Sequence, residues 1–252
     1  MGFAAIIIGD EIIRGKRQDK HFAKTIEILA LRGLILDWSL YLGDDRRRLS
    51  AMLALSFKTP DVVFSFGGIG VTPDDNTRQA AAAAAGVPLE LHPEAEAVIR
   101  ARFAESGTEA TRDRLQLGEF PVGSRIIPNP FNRIPGFSLG DHHFFPGFPQ
   151  MAHPMLEWVL DTYYRDRFHQ VAEAEQAIIV WEGNEGALLG LMRHIETLYP
   201  GVSVFSLPSF GNDAMRQHIE FGVRGDPEQV VSAMAMMRAE VSRLGFQWEA
   251  NK

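Results

Sequence analysis

No cysteine occurs among the 252 residues of the chain. This absence excludes disulfide bonds, thiolate metal ligands and a cysteine nucleophile, and it favours a cytoplasmic protein. Long apolar runs are also missing. The first apolar segment, residues 2–8, is short and is followed almost at once by Asp10 and Glu11, which is not typical of a signal peptide. No segment approaches the roughly 20 apolar residues that a membrane-spanning helix requires, so we expect a soluble protein.

An excess of positive charge is absent as well. The formal net charge is -7 at pH 7, whereas general binders of nucleic acids or anionic membranes carry a basic footprint. We therefore expect no nucleic acid and no membrane as a partner, and any affinity for phosphate must be local. With 46% hydrophobic and 23% charged residues, the chain has the composition of a globular protein. Its length suits one large domain, or one medium and one small domain.

The middle of the chain contains a glycine-rich turn between two regular elements. Residues 62–66 are a short apolar run typical of a buried strand, and the alanines at 80–85 favour a helix. Gly67, Gly68 and Gly70 allow positive φ and leave main-chain N–H groups open beside a helix N-terminus. Such a turn favours an anion, so the stretch predicts a site for a small phosphate-bearing ligand.

The alternative interpretation is an ordinary strand-to-helix connection. Asp74, Asp75, Asn76 and Thr77 are all good N-cap residues. Glycine-rich turns also occur in many α/β proteins that bind nothing there. The pattern is neither a Walker A sequence nor a GxGxxG fingerprint, so the residues alone leave both interpretations open.

The stretch from Gly67 to Arg78 resembles a family signature. It reads GGIGVTPDDNTR, which is similar to the GG-x-G-x-TPDD-x-TR pattern of the molybdopterin-binding (MoCF biosynthesis) domain, in the version carried by the competence/damage-inducible protein A (CinA) family. Further segments match in the same order: IGDEII at 8–13, LGDD at 42–45 and PGFP at 146–149. Several ordered motifs are more specific than one, so the chain is identified as a member of this family over roughly its first two-thirds.

The resemblance implies the fold and the domains. Residues 1–170 are expected to form a molybdopterin-binding-like three-layer α/β/α sandwich with a mainly parallel sheet. Residues 175–252 are expected to form a small α+β domain, because their predicted β-α-β-β-α order resembles the KH-like segment of CinA proteins. This segment contains a literal GxxG from Gly183 to Gly186. That loop follows a strand and carries an acid, so RNA binding is not expected.

Apolar spacing and capping residues predict helices in the first domain over residues 19–32, 46–56, 93–106 and 154–168. His21 is expected at the surface. His142, His143 and His153 lack the paired spacing of a metal site on a helix, and we expect them to be structural.

The resemblance also implies the residues of the site. Asp44 and Asp75 match acidic positions that line the ligand groove in the family. With Glu11 they are the candidate catalytic residues, and they are expected to hold Mg²⁺ or another divalent cation that offsets phosphate charge. The ligand, molybdopterin or a nucleotide, is expected to contact a wider set of residues: Gly9, Asp10, Gly67, Gly68, Gly70, Thr72, Asp74, Asp75 and Gly147.

Three positions depart from the family pattern. Phe66 stands where Ser or Thr commonly precedes the glycines. The aromatic ring removes a hydroxyl donor and fills volume, and it is expected to alter or narrow the ligand pocket. His21 ends a triplet that usually contains an asparagine. Met151 replaces a Glu, and this lost carboxylate weakens the expectation of metal-dependent hydrolysis.

Three functions therefore stay open. The first is a molybdopterin- or nucleotide-phosphate-binding protein. The second is a divalent-metal-dependent pyrophosphatase acting on ADP-ribose- or FAD-type substrates, an activity associated with CinA-like domains. The third is a non-catalytic oligomeric scaffold that has lost the chemistry. The resemblance implies a homo-oligomer, a dimer or a trimer, and the family's amidase domain has no counterpart in a chain of 252 residues.

Overall fold

The computed structural model describes residues 1–170, 173–211 and 216–251. The chain divides into two compact units, Met1–His169 and Gln170–Lys252. Val171 and Ala172, in the junction that the sequence predicts between two domains, lie outside the described residues. Within the described ranges, no helix is both long enough and apolar enough to cross a membrane.

A mainly parallel sheet forms the centre of the first unit. The strands of this unit are β1 Phe3–Ile8, β2 Leu36–Leu42, β3 Val62–Phe66, β4 Leu89–Leu91, β5 Glu119–Pro121, β6 Arg125–Ile127, β7 Gly136–Leu139 and β8 His142–Phe145. The main sheet has the order β2-β1-β3-β8-β7-β6, and β4 pairs with β5 apart from it. β1, β2, β3 and β8 are parallel, whereas β7 is antiparallel to both of its neighbours.

Helices cover both faces of this sheet. They are α1 Asp10–Ile13, α2 Phe22–Ala30, α3 Arg46–Ser56, α4 Thr77–Ala85, α5 Pro93–Glu105, α6 Arg112–Leu115 and α7 Pro149–Tyr163. Phe64 and Phe66 pack in one core with residues of α2 and α7, while Val63 packs in a second core with residues of α3 and α4. All residues of β1 and β3 are buried, because inner strands of such a sheet are covered on both faces. The predicted three-layer sandwich is confirmed.

The last helix of the first unit differs from its prediction. The sequence predicts a helix over 154–168, but α7 spans Pro149–Tyr163 and contains Pro154 in its interior. Pro149 occupies the first turn, where a proline is well tolerated. Pro154 removes one backbone hydrogen bond. The burial of Ala152, Met155 and the apolar residues that follow stabilises the helix around it.

The second unit is a small antiparallel α+β module. Its elements are β9 Ala174–Trp181, α8 Glu185–Leu198, β10 Val202–Ser209, β11 His218–Gly225, α9 Pro227–Arg243 and β12 Trp248–Ala250. The sheet order is β10-β11-β9-β12. The predicted β-α-β-β-α order is confirmed, and β12 is an additional three-residue strand. The GxxG segment begins α8, where the Asn184 side chain accepts a hydrogen bond from the Ala187 amide at 2.9 Å.

Candidate functional site

The glycine turn lies directly after β3 at the carboxyl end of the sheet. Gly67 has φ 103° and Gly68 has φ 69°, a region that side-chain-bearing residues rarely adopt. The Gly67 amide donates to the Phe145 carbonyl at 2.9 Å, which joins the turn to the end of β8. A Cβ atom at Gly67 would collide with the Ile8 carbonyl oxygen. Glycine is therefore required because three parallel strands end within contact distance of this backbone.

Three carbonyl groups of the turn are held from one side, by the first residues of α4. Thr77 donates from Oγ1 to the Gly67 carbonyl at 3.0 Å and from its amide to the Gly68 carbonyl at 2.9 Å. Arg78 donates from Nη2 to the Gly70 carbonyl at 2.5 Å. The N-terminus of α4 is therefore used to bind the turn itself, which differs from the expectation that it would face a ligand.

The amides of the turn face the opposite way. In a trans peptide the C=O and N–H bonds point in opposite directions. Because the Gly67 and Gly68 carbonyls face α4, the Gly68 and Ile69 amides of the same peptides face away from it. No described residue accepts a hydrogen bond from the amides of Gly68, Ile69 or Gly70. Ile69 is only 7% exposed. These N–H groups are the open donors that the sequence predicts.

Arg78 is the largest fully buried side chain of the protein's described residues. Besides Gly70, its guanidinium donates to the carbonyls of Gln116 and Glu119, so it connects the turn to the start of β5 and to the residues just before it. Burial lowers the pKa of Arg78, although the nearby charges of Glu119 and Asp75 oppose that shift. The family motif includes this arginine, but sequence reasoning assigned it no role.

A cavity of about 230 Å³ opens beside the amides. The turn residues Gly68, Ile69 and Gly70 line one side of it, and Gly147 and Phe148 line another. Its wall is mostly apolar. This size suits part of a small ligand, and the cavity brings together the predicted residues of the turn and Gly147.

Two asparagines that the sequence did not single out as site residues also line the cavity. Asn129 is buried and donates from Nδ2 to Asn132 Oδ1 at 2.8 Å and to the Ile134 carbonyl at 2.9 Å. Asn132 donates from Nδ2 to the Met151 sulfur at 3.5 Å. Met151, in place of the family's Glu, thus presents an uncharged thioether to the cavity. The Asn-Pro pair at 129–130 was the available signal for this loop.

Asp75 lines the same cavity and is held by Thr72. Asp75 Oδ2 accepts from the Thr72 amide at 2.9 Å and from its hydroxyl at 2.6 Å. The Thr72 hydroxyl also lies 2.5 Å from Asp74 Oδ1, and this hydrogen bond lowers the pKa of Asp74. Thr72 therefore orients both acids of the TPDD segment rather than facing a ligand by itself.

Asp44 lies in a different group of acids. Its Oδ2 accepts from the Asp10 amide at 2.8 Å, while Asp10 Oδ1 accepts from the Asp44 amide at 3.3 Å. Partial burial raises the pKa of Asp44, and the charges of Asp10, Glu11 and Asp74 raise it further. Asp10 also pairs with Arg14 at 2.7 Å. Gly9, just before Asp10, positions this pair at the end of β1.

The structure does not assemble the predicted cation site of Asp44, Asp75 and Glu11. Asp75 faces Thr72 and Arg78, whereas Asp44 is engaged with Asp10. Among the residues that the structure describes, no group of three or more His, Asp or Glu side chains is arranged to hold a metal ion. These carboxylates therefore do not fit a preformed divalent-cation site.

Two further expectations are corrected. His21 is only 5% exposed and not a surface residue. Phe66 is fully buried in the core and does not line the cavity, so it does not narrow the pocket directly. The two rings stack on each other with centroids 4.7 Å apart. His142 and His143 are buried within hydrogen-bond networks, as expected for structural residues.

An α/β/α sandwich with a crevice at the carboxyl edge of a mainly parallel sheet defines the class of open α/β ligand-binding folds. Residues 4–166 match the family model described as "Probable molybdopterin binding domain", and the chain belongs to this family.

Relatives and a solved structure agree with this assignment. The chain is 30% identical over 239 residues to a CinA-like protein of Anaeromyxobacter sp. (strain Fw109-5), covering 86% of this chain and 57% of that protein. A protein of Pyrobaculum arsenaticum is 26% identical over 95% of this chain and 92% of its own length. The crystal structure of a CinA protein of unknown function from Thermoplasma acidophilum superposes with a TM-score of 0.57 at 25% identity, covering 64% of this chain and 98% of that one. The first CinA-like relatives are longer, and the chain spans 40% to 57% of their length.

Proposed function

We propose that the first unit binds a small phosphate-bearing ligand, molybdopterin or a nucleotide, on the glycine turn. The observation that carries this proposal is the row of amides at Gly68, Ile69 and Gly70, for which no described residue is an acceptor. Ile69 is buried, whereas Gly68 and Gly70 are half-buried, and a fully buried donor without an acceptor costs about 1–3 kcal/mol. A phosphate oxygen would remove that cost and would interact favourably with several N–H dipoles at once.

The rest of the ligand is proposed to enter the cavity. The mostly apolar wall suits a flat ring system, and Asp75 is the acceptor available for an N–H group of such a ring. Of the two carboxylate oxygens of Asp75, only Oδ2 accepts hydrogen bonds from described residues, and both come from Thr72. Its Oδ1 has no partner among the described residues, which supports this role.

Binding is favoured over metal-dependent hydrolysis for two reasons. The predicted carboxylate triad is not assembled, and Met151 contributes no charge to the cavity. Pyrophosphatase activity and the oligomeric scaffold stay as predictions that the same experiment separates. Dimer or trimer formation likewise stays a prediction, testable by light scattering.

Calorimetric titration with molybdopterin, ADP-ribose and ADP, each with and without Mg²⁺, tests the proposal. Gly68→Ala should abolish binding, because the new Cβ would meet the Thr77 hydroxyl and distort the turn. Gly86→Ala is the matched control: Gly86 has φ 68°, against 69° at Gly68, but its Cβ would meet nothing within 4 Å. Both variants should lose about 1 kcal/mol of stability from backbone strain.

Three outcomes are distinguishable. Tight binding that Gly68→Ala removes and Gly86→Ala preserves supports the proposal. Mg²⁺-dependent release of AMP from ADP-ribose, abolished in Asp75→Asn, would establish the enzyme instead. No binding of any probe would leave the scaffold as the remaining function.

A further inference from the structure

His21 is a buried imidazole next to the ligand cavity but outside its lining. It stands immediately before α2 and is 5% exposed. One face of its ring stacks on Phe66, with centroids 4.7 Å apart and planes inclined by 15°. The His153 ring meets it edge-on at 5.3 Å. The ring is therefore fixed in orientation by packing on two sides.

The hydrogen bonding of His21 selects one tautomer. Nε2 lies 3.2 Å from the Gly147 carbonyl oxygen. A carbonyl can only accept, so the proton must be on Nε2. Nδ1 is buried and has no partner among the described residues. The neutral ring with Nε2–H is thus the form that this environment satisfies.

Gly147 connects His21 to the ligand cavity. It lines the cavity together with its neighbours Pro146 and Phe148. A Cβ atom at Gly147 would lie 3.4 Å from the Gly67 Cα atom, so the two backbones are in contact. Phe66, the stacking partner of His21, directly precedes Gly67. His21 therefore contacts the Gly147 backbone directly, and it contacts the strand end before the glycine turn through the Phe66 ring.

Burial disfavours a second proton on His21. Burial lowers the pKa of His21, while the Gly147 carbonyl and the nearby Asp19 raise it. Asp19 is already engaged by the amides of His21 and Phe22 and by the Tyr41 hydroxyl. On the other side, burial lowers the pKa of His153, and the nearby charges of His21 and Lys24 lower it further. A cationic His21 would therefore have an Nδ1–H that is buried without an acceptor among the described residues.

We propose that His21 is a positioning residue that holds the Pro146–Phe148 segment against the glycine turn only while its imidazole is neutral, so that ligand affinity falls on acidification. This inference rests on the proposed function, because it concerns the same cavity. A protonated ring keeps its Nε2–H but gains an Nδ1–H with no acceptor among the described residues at this buried position. The cost of that buried, unpaired donor favours a conformation in which the ring leaves the stack on Phe66 and releases the Gly147 carbonyl.

Two measurements on the intact protein test the proposal. Long-range ¹⁵N–¹H correlation spectra report the tautomer of His21, and the backbone amide of Phe148 belongs to the same peptide as the Gly147 carbonyl. We expect the Nε2–H tautomer at neutral pH and a Phe148 shift that follows the titration of His21. Because the pKa of His21 is lowered from its ordinary value, we expect the dissociation constant for ADP-ribose to be constant above about pH 6.5 and to rise about tenfold as the pH falls from there to about pH 5.

Variants separate positioning from packing. His21→Gln restores an N–H donor that does not titrate, so its affinity should be near that of the wild type and independent of pH. His21→Phe keeps the stack but has no donor, so it should bind about tenfold more weakly at all pH values. His92→Gln is the control: His92 also lies within hydrogen-bond distance of a carbonyl, Ser124 at 3.2 Å, but it does not line the cavity. It should keep the wild-type pH profile.

The outcomes that overturn the inference differ from those that overturn the proposed function. A His21 ring protonated on Nδ1, a Phe148 amide indifferent to the titration, or wild-type affinity in a folded His21→Phe would each refute it. If no probe binds the wild type at any pH, the proposed function fails. The tautomer and the Phe148 shift then still decide whether His21 holds Gly147.

Discussion

Arg78 and Gly70 are joined by a hydrogen bond of 2.5 Å from the guanidinium Nη2 to the glycine carbonyl oxygen. This contact turns the carbonyl away from the cavity and connects the glycine turn to the first turn of α4. A buried arginine thus shapes the turn through its backbone, without lining the cavity itself.

Arg78→Lys should lower both the stability of the folded protein and its affinity for the ligand. Lysine keeps the charge but cannot reach three carbonyls with one planar group, and it leaves buried acceptors unpaired. We expect a loss of about 3 kcal/mol in the free energy of unfolding and at least about tenfold weaker binding of ADP-ribose. Urea denaturation and calorimetry measure the two effects.

The control for this variant is Arg125→Lys. Arg125 also donates to a glycine carbonyl, that of Gly140 at 3.2 Å, but it is exposed. We expect a loss of less than about 1 kcal/mol there. Equal losses at the two positions would show that burial of the guanidinium is not what makes Arg78 important.

Asp44→Asn should stabilise the protein at neutral pH. The pKa of Asp44 is raised by partial burial and by neighbouring carboxylates, so its charged form is disfavoured in the folded state. The destabilisation is present above that pKa and disappears as the pH falls and Asp44 becomes protonated. Asparagine keeps the oxygen that accepts from the Asp10 amide. We expect a gain of less than about 1 kcal/mol near pH 7 that vanishes near pH 4.

Asp45→Asn provides the matched control for Asp44→Asn. Asp45 caps α3 by accepting from the Arg48 amide at 2.8 Å, and asparagine is an equally good N-cap residue, so thermal unfolding should be unchanged. Millimolar Mg²⁺ should stabilise neither wild type nor variant. A Mg²⁺-dependent increase in melting temperature that Asp44→Asn removes would show that these acids do bind a cation.

Acid should destabilise the first unit through two buried histidines. Burial lowers the pKa of His142 to about 4 and that of His143 to about 3. The unfolded chain takes up these protons near pH 6.5, whereas the folded state does not. The free energy of unfolding therefore keeps its full value above about pH 6.5 and falls steadily as the pH is lowered toward about 4. His142 alone accounts for a loss of roughly 3 kcal/mol.

Urea denaturation between about pH 7.5 and about pH 4.5 measures this effect. His142→Gln keeps a donor toward the Ser56 hydroxyl, 2.8 Å from Nε2 in the wild type, but does not titrate. As the pH falls, the free energy of unfolding of this variant should decline less steeply than that of the wild type. The difference in slope should correspond to at most one proton fewer taken up on unfolding. An unchanged slope would mean that His142 takes up its proton in the folded state as readily as in the unfolded chain.

Met151→Glu should reduce ligand affinity. A carboxylate in the partly buried wall of the cavity would repel a phosphate-bearing ligand and would lose hydration. We expect at least about tenfold weaker binding of ADP-ribose, whereas the isosteric Met151→Gln should stay within about threefold of the wild type. Restored Mg²⁺-dependent hydrolysis in Met151→Glu would show instead that the rest of a metal site is already present.

The secondary structure and the family could largely be predicted from the sequence. The bounds of α3 and β3 were predicted without error, because apolar periodicity and capping residues are local signals. The predicted bounds of α7 were wrong. Pro149 and Pro154 are both suitable residues for the start of a helix, and only the burial of the helix in the folded protein selects the first.

The candidate site was readable only in part. Residues that are close in sequence, such as Gly67 to Gly70, were assigned to a shared turn. The distribution of the acids, with Asp44 beside Asp10 and Asp75 beside Thr72, depends on side-chain orientation. The burial of His21 depends on Phe66, which is 45 positions further along the chain.

The sequence by itself determined the strand-turn-helix at the centre of the protein, because glycine, alanine and apolar residues constrain the backbone over short distances. Only the tertiary structure decided which backbone N–H and C=O groups of that turn are left without a hydrogen-bond partner among the described residues. Thr77 and Arg78 bind carbonyls of the turn, whereas the amides of Gly68, Ile69 and Gly70 have no acceptor among the described residues. That selection is made by partners brought together in space, whose geometry no local pattern encodes.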